Sequence, residues 1–145
     1  MIFKFKTASY FQYLKITIIM DKQIITTEAA PAPIGPYSQA VMVNGTLYLS
    51  GQIPIDPATS LVIIGDIEAE TRQVMDNIAG ILRAYGLDFS NIVKTTIFIR
   101  NMGDFARINT VYSNYFTKDY PARETVEVSR LPKDVQIEIS CIAVK

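Results

Sequence analysis

Only two stretches of this chain have the periodicity of amphipathic helices, and this limits the folds open to it. The first follows a possible N-cap at Asp66 and stops before Gly86, a residue typical of helix C-termini. The second follows Asp104, which we expect to cap it. The residues expected on the buried faces are Ile67, Thr71, Val74, Ile78, Ile81, Leu82 and Tyr85, then Phe105, Ile108, Tyr112, Tyr115 and Phe116.

Six stretches have the alternation or the β-branched composition of strands. Two of them flank Asn44-Gly45, a dipeptide that is the strongest short-range signal of a β-hairpin. The predicted strands cover residues 22–27, 39–43, 46–50, 92–100, 125–128 and 135–144. Two helices can cover one face of a sheet but not both, so the order β-β-β-α-β-α-β-β predicts an α+β fold.

The predicted strands contain more apolar surface than two helices can cover. In the last strand, one face should meet the helices, and it consists of Val135, Ile137, Ile139, Cys141 and Ala143. The other face combines Glu138 and Ser140 with Ile142 and Val144. In the strand 92–100, we expect Ile97 and Ile99 on one face and Ile92 and Phe98 on the other. An exposed sheet face of this composition indicates a partner chain.

The absence of histidine excludes several kinds of active site. A chain with no histidine and one cysteine, Cys141, cannot contain a Ser-His-Asp triad, a Cys-His dyad or a cysteine-rich metal site. We interpret Cys141 as a small buried hydrophobe. Lys+Arg and Asp+Glu number 14 each, so the net charge is zero and gives no electrostatic signature of nucleic acid or membrane binding.

Residues 1–19 differ in composition from the rest, since they contain three lysines and no acidic residue. A chain of 145 residues has the length of one domain, and we expect that domain to cover residues 20–145. Gln12 and Lys15 interrupt the apolar run that a signal peptide needs, and no cleavage motif follows. The extension can therefore be read as an upstream start, a targeting segment or an added edge strand.

A few polar residues in unusual settings are candidates for chemistry. Arg123 follows Tyr120-Pro121-Ala122 and could bind a carboxylate, although a loop arginine is more often a solvated charge. Glu138 is flanked by apolar residues in a strand, as an ion-pair partner also would be. Ser50-Gly51 ends a strand, where glycine permits close approach of a ligand. Tyr37 follows a tight Gly-Pro turn and presents a hydroxyl group, unless it only packs.

Taken together, the motifs IGPYSQAV, G-x-L-x-x-SGQIP, NI-x-x-x-L, DF-x-x-I-N-x-x-Y and PARETVEVSRLPKDVQIEI resemble those of the RidA/YjgF family of reactive imine/enamine deaminases. The resemblance runs from about Met20 to Lys145. It implies a chorismate-mutase-like α+β fold, a homotrimer, and active sites in clefts between subunits. It also implies hydrolysis of 2-imino acids to 2-keto acids and ammonia, with no cofactor and no metal.

The resemblance also assigns roles to single residues. Arg123 would bind the substrate carboxylate, while Glu138 would orient or deprotonate the attacking water. Electrostatics adds that a pocket which holds an anion and keeps Glu138 ionised needs Arg123 nearby, because a positive charge favours the ionised carboxylate. Thr125 stands where many members have cysteine, and its backbone contacts are expected to matter more than its side chain. The expected catalytic residues are Arg123, Glu138, Tyr37 and Ser50, and the expected substrate-binding residues are Arg123, Gly51, Asn109 and Thr125.

Two other functions remain as alternatives. The same cleft could serve a regulatory module that binds a small ligand, but the presence of both Arg123 and Glu138 favours the enzyme. An endoribonuclease or translation inhibitor is disfavoured by zero net charge and by the absence of histidine. We accordingly expect a 2-imino acid as the small-molecule partner, no nucleic-acid or membrane partner, and a cytoplasmic protein.

Overall fold

The computed structural model describes residues 21–145, and this part of the chain forms six strands and two α-helices. In chain order they are β1 (Lys22–Ile25), β2 (Ala40–Val43), β3 (Thr46–Gln52), α1 (Ile67–Ala84), β4 (Ile92–Ile99), α2 (Phe105–Ser113), β5 (Ala122–Glu127) and β6 (Ile137–Val144). The expectations for residues 1–19 lie outside the described residues. No helix of the described part is long and apolar enough to cross a membrane.

The six strands form one mixed sheet in the order β1-β2-β3-β6-β4-β5. All neighbours are antiparallel except β4 and β5, which run parallel. The predicted hairpin between β2 and β3 is confirmed, because Asn44 and Gly45 have φ values of 50° and 78°, as a type I′ turn requires. With two helices beside a mixed sheet, the predicted α+β class is confirmed.

Helix α1 begins and ends where its local signals place it. The Asp66 side chain accepts a hydrogen bond from the Glu68 backbone N–H at 3.2 Å. Gly86, at φ 74°, donates to the Arg83 carbonyl, and Leu87 donates to the Leu82 carbonyl. These two bonds form a Schellman motif, which turns the chain toward β4.

Helix α2 differs from its prediction at both ends. Asp104 occupies the N-cap position but makes no capping hydrogen bond, and its carboxylate instead lies 3.6 Å from Arg107. Phe105 remains 37% exposed because it lies in the first turn, outside the core. The helix ends at Ser113, so the predicted continuation of its buried face to Tyr115 and Phe116 lies beyond the helix, although the Phe116 ring is buried.

The main core lies between the helices and one sheet face, with two corrections to the predicted faces. Ile92 is buried in this core together with Ile97 and Ile99, because a register shift between Ile92 and Lys94 turns it toward the helices. Val135 precedes β6 and lies outside the main core. It belongs to a second, smaller cluster with Ile53, Ile55 and Leu131, against which Phe98 packs.

The opposite sheet face, here called the open face, carries no helix of residues 21–145. It includes Tyr48 on β3, Ile142 on β6 and Val126 on β5, and Tyr48 is directly paired with Ile142. Tyr48 is 49% exposed and Val126 is 42% exposed. Glu138 lies on this face as well, because it is paired with Phe98 while its neighbours Ile137 and Ile139 are buried in the core.

Candidate active site

Arg123 lies on edge strand β5, and aromatic rings orient its guanidinium. It is paired with Thr95, so its side chain is on the helix side of the sheet. The guanidinium carbon lies 5.2 Å from the Tyr112 ring centre and 5.6 Å from that of Phe105. Nη1 donates to Asn109 Oδ1 at 2.7 Å. Among the described residues this bond uses one of five N–H donors, so the planar fork can still bind a carboxylate through two parallel bonds.

The Arg123 pocket is an open cavity of about 400 Å³ beside this guanidinium. Its described lining consists of Asn109, Tyr112, Ser113, Tyr120, Pro121 and Arg123. Tyr112 is fixed in place because its hydroxyl is hydrogen-bonded to Thr95 Oγ1 at 2.9 Å, and burial raises the pKa of its phenol. The Tyr112 ring therefore serves as a rigid, uncharged platform under Arg123.

Glu138 lines a second cavity of about 290 Å³, here called the Glu138 pocket. The other described residues of its lining are Ile34, Tyr37, Ser50, Gly51, Ile53 and Pro132. Burial raises the pKa of the Glu138 carboxyl above its usual range. A carboxylate that is harder to keep ionised binds a proton more readily, which suits a general base.

Gly51 makes room for the Glu138 carboxylate. A Cβ atom at position 51 would lie 2.7 Å from Glu138 Cδ and would overlap its Oε1. The close approach occurs at a register shift between β3 and β6. Leu49 is paired with Cys141 and Gln52 with Ile139, so β3 advances three residues where β6 advances two. The extra residue is a β-bulge, a feature that often redirects side chains beside active sites.

Ser50 and Tyr37 both line the Glu138 pocket, but their hydroxyl groups differ. The Ser50 hydroxyl donates to the Ser38 carbonyl at 2.7 Å, so its proton is already engaged. The Tyr37 hydroxyl accepts a bond from the Ile34 backbone N–H at 3.2 Å and retains its own proton for donation. Ser50 therefore holds the loop that carries Tyr37, and of the two hydroxyl groups that of Tyr37 can donate to a ligand.

Sequence reasoning missed the side chain that anchors this loop. Gln39 is buried, and its amide donates to the carbonyls of Thr27, Ala30 and Pro31 at 2.8–3.1 Å. Its Oε1 accepts from the Thr27 backbone N–H at 2.7 Å. Nothing in the local sequence distinguishes Gln39, the residue directly before β2, from an ordinary strand residue, because its partners belong to the preceding loop.

Glu70 is a second missed residue, and here the sequence does carry a signal. It lies on the apolar face of α1, three residues after Ile67, and it is fully buried. Its carboxylate accepts from the backbone N–H groups of Gln136 at 2.9 Å and Gly65 at 3.2 Å. Glu70 thus ties the start of β6, two residues before Glu138, to helix α1.

The two pockets do not meet within one chain. Arg123 faces the helix side of the sheet with Ile97, whereas Glu138 faces the open side with Phe98. Within one chain Arg123 therefore does not face Glu138, and burial is the cause of the raised pKa of Glu138. The expectation that Arg123 keeps Glu138 ionised in a cleft between subunits stays a prediction. Thr125 is on the Arg123 side, and its Oγ1 is buried without a hydrogen-bond partner among the described residues.

Two further findings limit the chemistry of the described residues. Burial raises the pKa of the Cys141 thiol to about 12, so it stays protonated near neutral pH and cannot act as a thiolate nucleophile. Between Asp21 and Lys145, no three His, Cys, Asp or Glu side chains are grouped so that they could hold a metal ion.

Comparison with known proteins identifies the family. The profile of the family described as Endoribonuclease L-PSP matches residues 27–145. A RutC family protein of Pyrococcus horikoshii is 53% identical over 124 residues, covering 86% of this chain and 98% of its own length. The chain belongs to the RidA/YjgF family.

Two other RidA/YjgF relatives carry more information. A protein of Bos taurus named 2-iminobutanoate/2-iminopropanoate deaminase is 46% identical, over 86% of this chain and 90% of its own length. A solved structure of a Rid family protein from Yersinia pestis is 50% identical, with a TM-score of 0.84, over 86% of this chain and 99% of its own. The names of these relatives therefore differ in detail: one specifies an imine deaminase, and the others give only the family.

Proposed function

We propose that this RidA/YjgF protein hydrolyses 2-imino acids to 2-keto acids and ammonia, in a site formed by two copies of the chain. The observation that carries the proposal is the pair of half-sites. A stacked arginine suited to a carboxylate and a half-buried carboxylate suited to a water molecule lie on opposite faces of one sheet. The name of the Bos taurus relative supports the same reaction.

Each half-site contributes a different step. The Arg123 fork binds the substrate carboxylate and thereby fixes the position of the imine carbon next to it. Glu138, from the neighbouring copy, orients a water molecule and accepts a proton as the water oxygen bonds to the imine carbon. Glu138 returns this proton to the nitrogen, which gives a carbinolamine. As the C–N bond breaks, the hydroxyl group passes its remaining proton to the nitrogen, which leaves as ammonia. Water supplies the carbonyl oxygen of the keto acid.

The open face supports assembly into a trimer. Tyr48, Val126 and Val144 are exposed on the same sheet face as Glu138. A cyclic trimer brings the same two different surfaces together at each of its three interfaces. Each interface can therefore pair one Arg123 pocket with one Glu138 pocket, which gives a complete site per chain.

The direct test of activity is an assay coupled to a serine or threonine dehydratase, which releases the enamine and imine. The protein should accelerate the appearance of the keto acid beyond the uncatalysed rate. If the rate of keto acid formation is unchanged at any protein concentration, the proposed reaction is wrong.

The two-chain site is tested by complementation between inactive variants. Arg123→Ala and Glu138→Gln are each expected to lose at least about nine-tenths of the activity alone, and co-refolding them in equal amounts should restore activity above that level. Random assembly places an intact arginine opposite an intact glutamate at about a quarter of the interfaces, so about a quarter of the wild-type activity should return. The matched control co-refolds Glu138→Gln with the Arg123→Ala/Glu138→Gln double variant and should show no recovery above the residual activity of Glu138→Gln. Absence of recovery in the test mixture would place both residues in one chain's site.

A further inference from the structure

One aromatic side chain borders the Arg123 pocket without a part in the proposed reaction. Tyr120 lies directly before Pro121 and lines this pocket, and it is 62% exposed. Its ring is nonetheless supported from behind, since its centre lies 5.8 Å from that of Phe116, which is buried. Phe116 in turn packs on Tyr112, with ring centres 4.8 Å apart.

This stack connects Tyr120 to the guanidinium. Arg123 lies over Tyr112, and Tyr112 and Tyr120 both line the pocket next to it. A substrate whose carboxylate is held by Arg123 therefore extends its other end along a surface built from Tyr112, Tyr120 and Pro121. Aromatic and proline side chains offer that end apolar contact area on rings that lose little conformational freedom.

The charge of the pocket limits which side chains fit this surface. Among the described residues that line the pocket, Arg123 is the one cation, and its guanidinium is assigned to the first carboxylate. Lys118, which lies close in sequence to Tyr120, is instead within 3.8 Å of the Asp119 carboxylate. A second carboxylate on the substrate would thus lose solvation without gaining a cationic partner among the described residues that line the pocket.

The size of the pocket points in the same direction. Within a single chain the cavity measures about 400 Å³, and a three-carbon imino acid bound to Arg123 would leave part of the surface of Tyr112, Tyr120 and Pro121 uncovered. Each additional methylene group that moves from water onto an apolar wall adds to affinity. A larger apolar side chain therefore gains more from this pocket than a methyl group does.

We propose that Tyr120 is a specificity-determining residue that favours 2-imino acids with large uncharged apolar side chains over small and acidic ones. The inference rests on the proposed function for the identity of the reacting group. It goes further in assigning selectivity to a wall of the Arg123 pocket rather than to the Glu138 pocket.

Catalytic selectivity is measured with imines generated by amino-acid oxidases from leucine, alanine and aspartate, with semicarbazide trapping the imine that escapes hydrolysis. Tyr120→Ala should lower kcat/KM for the leucine-derived imine about tenfold and for the alanine-derived imine much less. Tyr120→Phe should retain the wild-type preference, because the ring and not the hydroxyl forms the wall. Equal losses for both substrates, or no loss, would overturn the proposal.

Phe89→Leu is the matched control for loosening of the aromatic stack. The Phe89 ring lies 5.5 Å from that of Phe116, but Phe89 is not among the described residues that line the Arg123 pocket. Its substitution should leave the ratio of the two kcat/KM values unchanged. A shift of that ratio as large as the one for Tyr120→Ala would assign the effect to the stack as a whole and overturn the role of Tyr120.

Binding of stable 2-keto acids separates this inference from the proposed reaction. By calorimetry, the wild type should bind 4-methyl-2-oxopentanoate more tightly than pyruvate, and 2-oxoglutarate no more tightly than pyruvate. Tyr120→Ala should remove the difference between the first two. If this binding selectivity is observed while no imine is hydrolysed, the proposed function is wrong and the proposed role of Tyr120 is retained. If hydrolysis occurs and the wild type binds all three acids equally, the proposed role of Tyr120 is wrong and the proposed function is retained.

Discussion

At the scale of single residues, the candidate site consists of groups that reduce the stability of the isolated chain. The Glu138 carboxyl is half-buried with a raised pKa, and the Thr125 hydroxyl is buried without a partner among the described residues. Each group loses solvation on folding and receives no full compensation within the described residues. Such groups are expected where a ligand or a neighbouring chain completes the interactions.

Glu138→Gln should lower kcat at least about tenfold, because a general base contributes roughly 10²–10⁴-fold to a rate. The same substitution should stabilise the fold near neutral pH. Since the pKa of Glu138 is raised on folding, the folded state holds its proton more tightly than the unfolded state does. Stability from this group is therefore present in acid and is lost as the pH rises through the folded pKa. The variant lacks this loss.

The measurements are the pH–rate profile and urea denaturation at acidic and neutral pH. The wild-type rate should fall in acid with a midpoint above the ordinary glutamate range, and the variant should lack this limb. Wild-type activity in Glu138→Gln would leave the residue with a structural role only.

Thr125→Val should raise the free energy of unfolding by about 1 kcal/mol, because it removes a buried hydroxyl without a hydrogen bond and nearly keeps the side-chain shape. Thr71→Val is the matched control. The Thr71 hydroxyl is also buried, but it donates to the Ile67 carbonyl at 2.6 Å. The control should be neutral or destabilised. The same sign for both variants in chemical denaturation would contradict this reading of Thr125.

At the scale of secondary-structure elements, local signals decided what could be predicted. The hairpin at Asn44-Gly45 and both ends of α1 follow from residues within a few positions, and the structure confirms them. The bulges before Gln52 and after Ile92 depend on how β3 and β4 pair with β6, which no local pattern reveals. The placement of Arg123 and Glu138 on opposite faces likewise depends on strand order and register. The alternation within the last strand predicted the face on which Glu138 lies, but no local pattern predicted the face on which Arg123 lies.

Gly80→Ala in the middle of α1 should destabilise the protein by roughly 1–3 kcal/mol, the range typical of overpacking. In an exposed helix the same change stabilises by about 1 kcal/mol. Here a Cβ atom would overlap the Ala29 carbonyl oxygen and lie 2.9 Å from the carbonyl carbon, and backbone atoms cannot easily move aside. Thermal denaturation measures the effect. Arg72→Ala and Arg72→Gly, at an exposed position of α1, give the ordinary helix preference for comparison. A gain in stability for Gly80→Ala would show that the backbone around Ala29 moves away from the added methyl group at little cost.

At the scale of the whole molecule, the sheet has one face covered by helices and one that is open. The covered face holds the main core, while the open face has exposed apolar residues and the Glu138 position. A soluble chain rarely leaves such a surface in water without using it. The homotrimer expected from the family resemblance would use this face for assembly and for catalysis together.

Tyr48→Glu should weaken the proposed trimer and reduce activity by at least about tenfold at micromolar concentration, because it places a charge in an apolar contact. The isolated fold should survive, since Tyr48 is 49% exposed in the single chain. Sedimentation velocity and circular dichroism measure the two effects. Arg72→Glu on the outer side of α1 is the control. An unchanged sedimentation coefficient for Tyr48→Glu would exclude the open face from the interface.

The placement of Arg123 and Glu138 on opposite sides of one sheet also bears on how activity depends on dilution. If each site needs two chains, a freshly synthesised or freshly refolded chain has no activity until it meets others. Recovery after rapid removal of denaturant should then show a lag that shortens as the protein concentration increases. Specific activity should likewise decline when a stock solution is diluted below the dissociation constant of the assembly, although every chain remains folded.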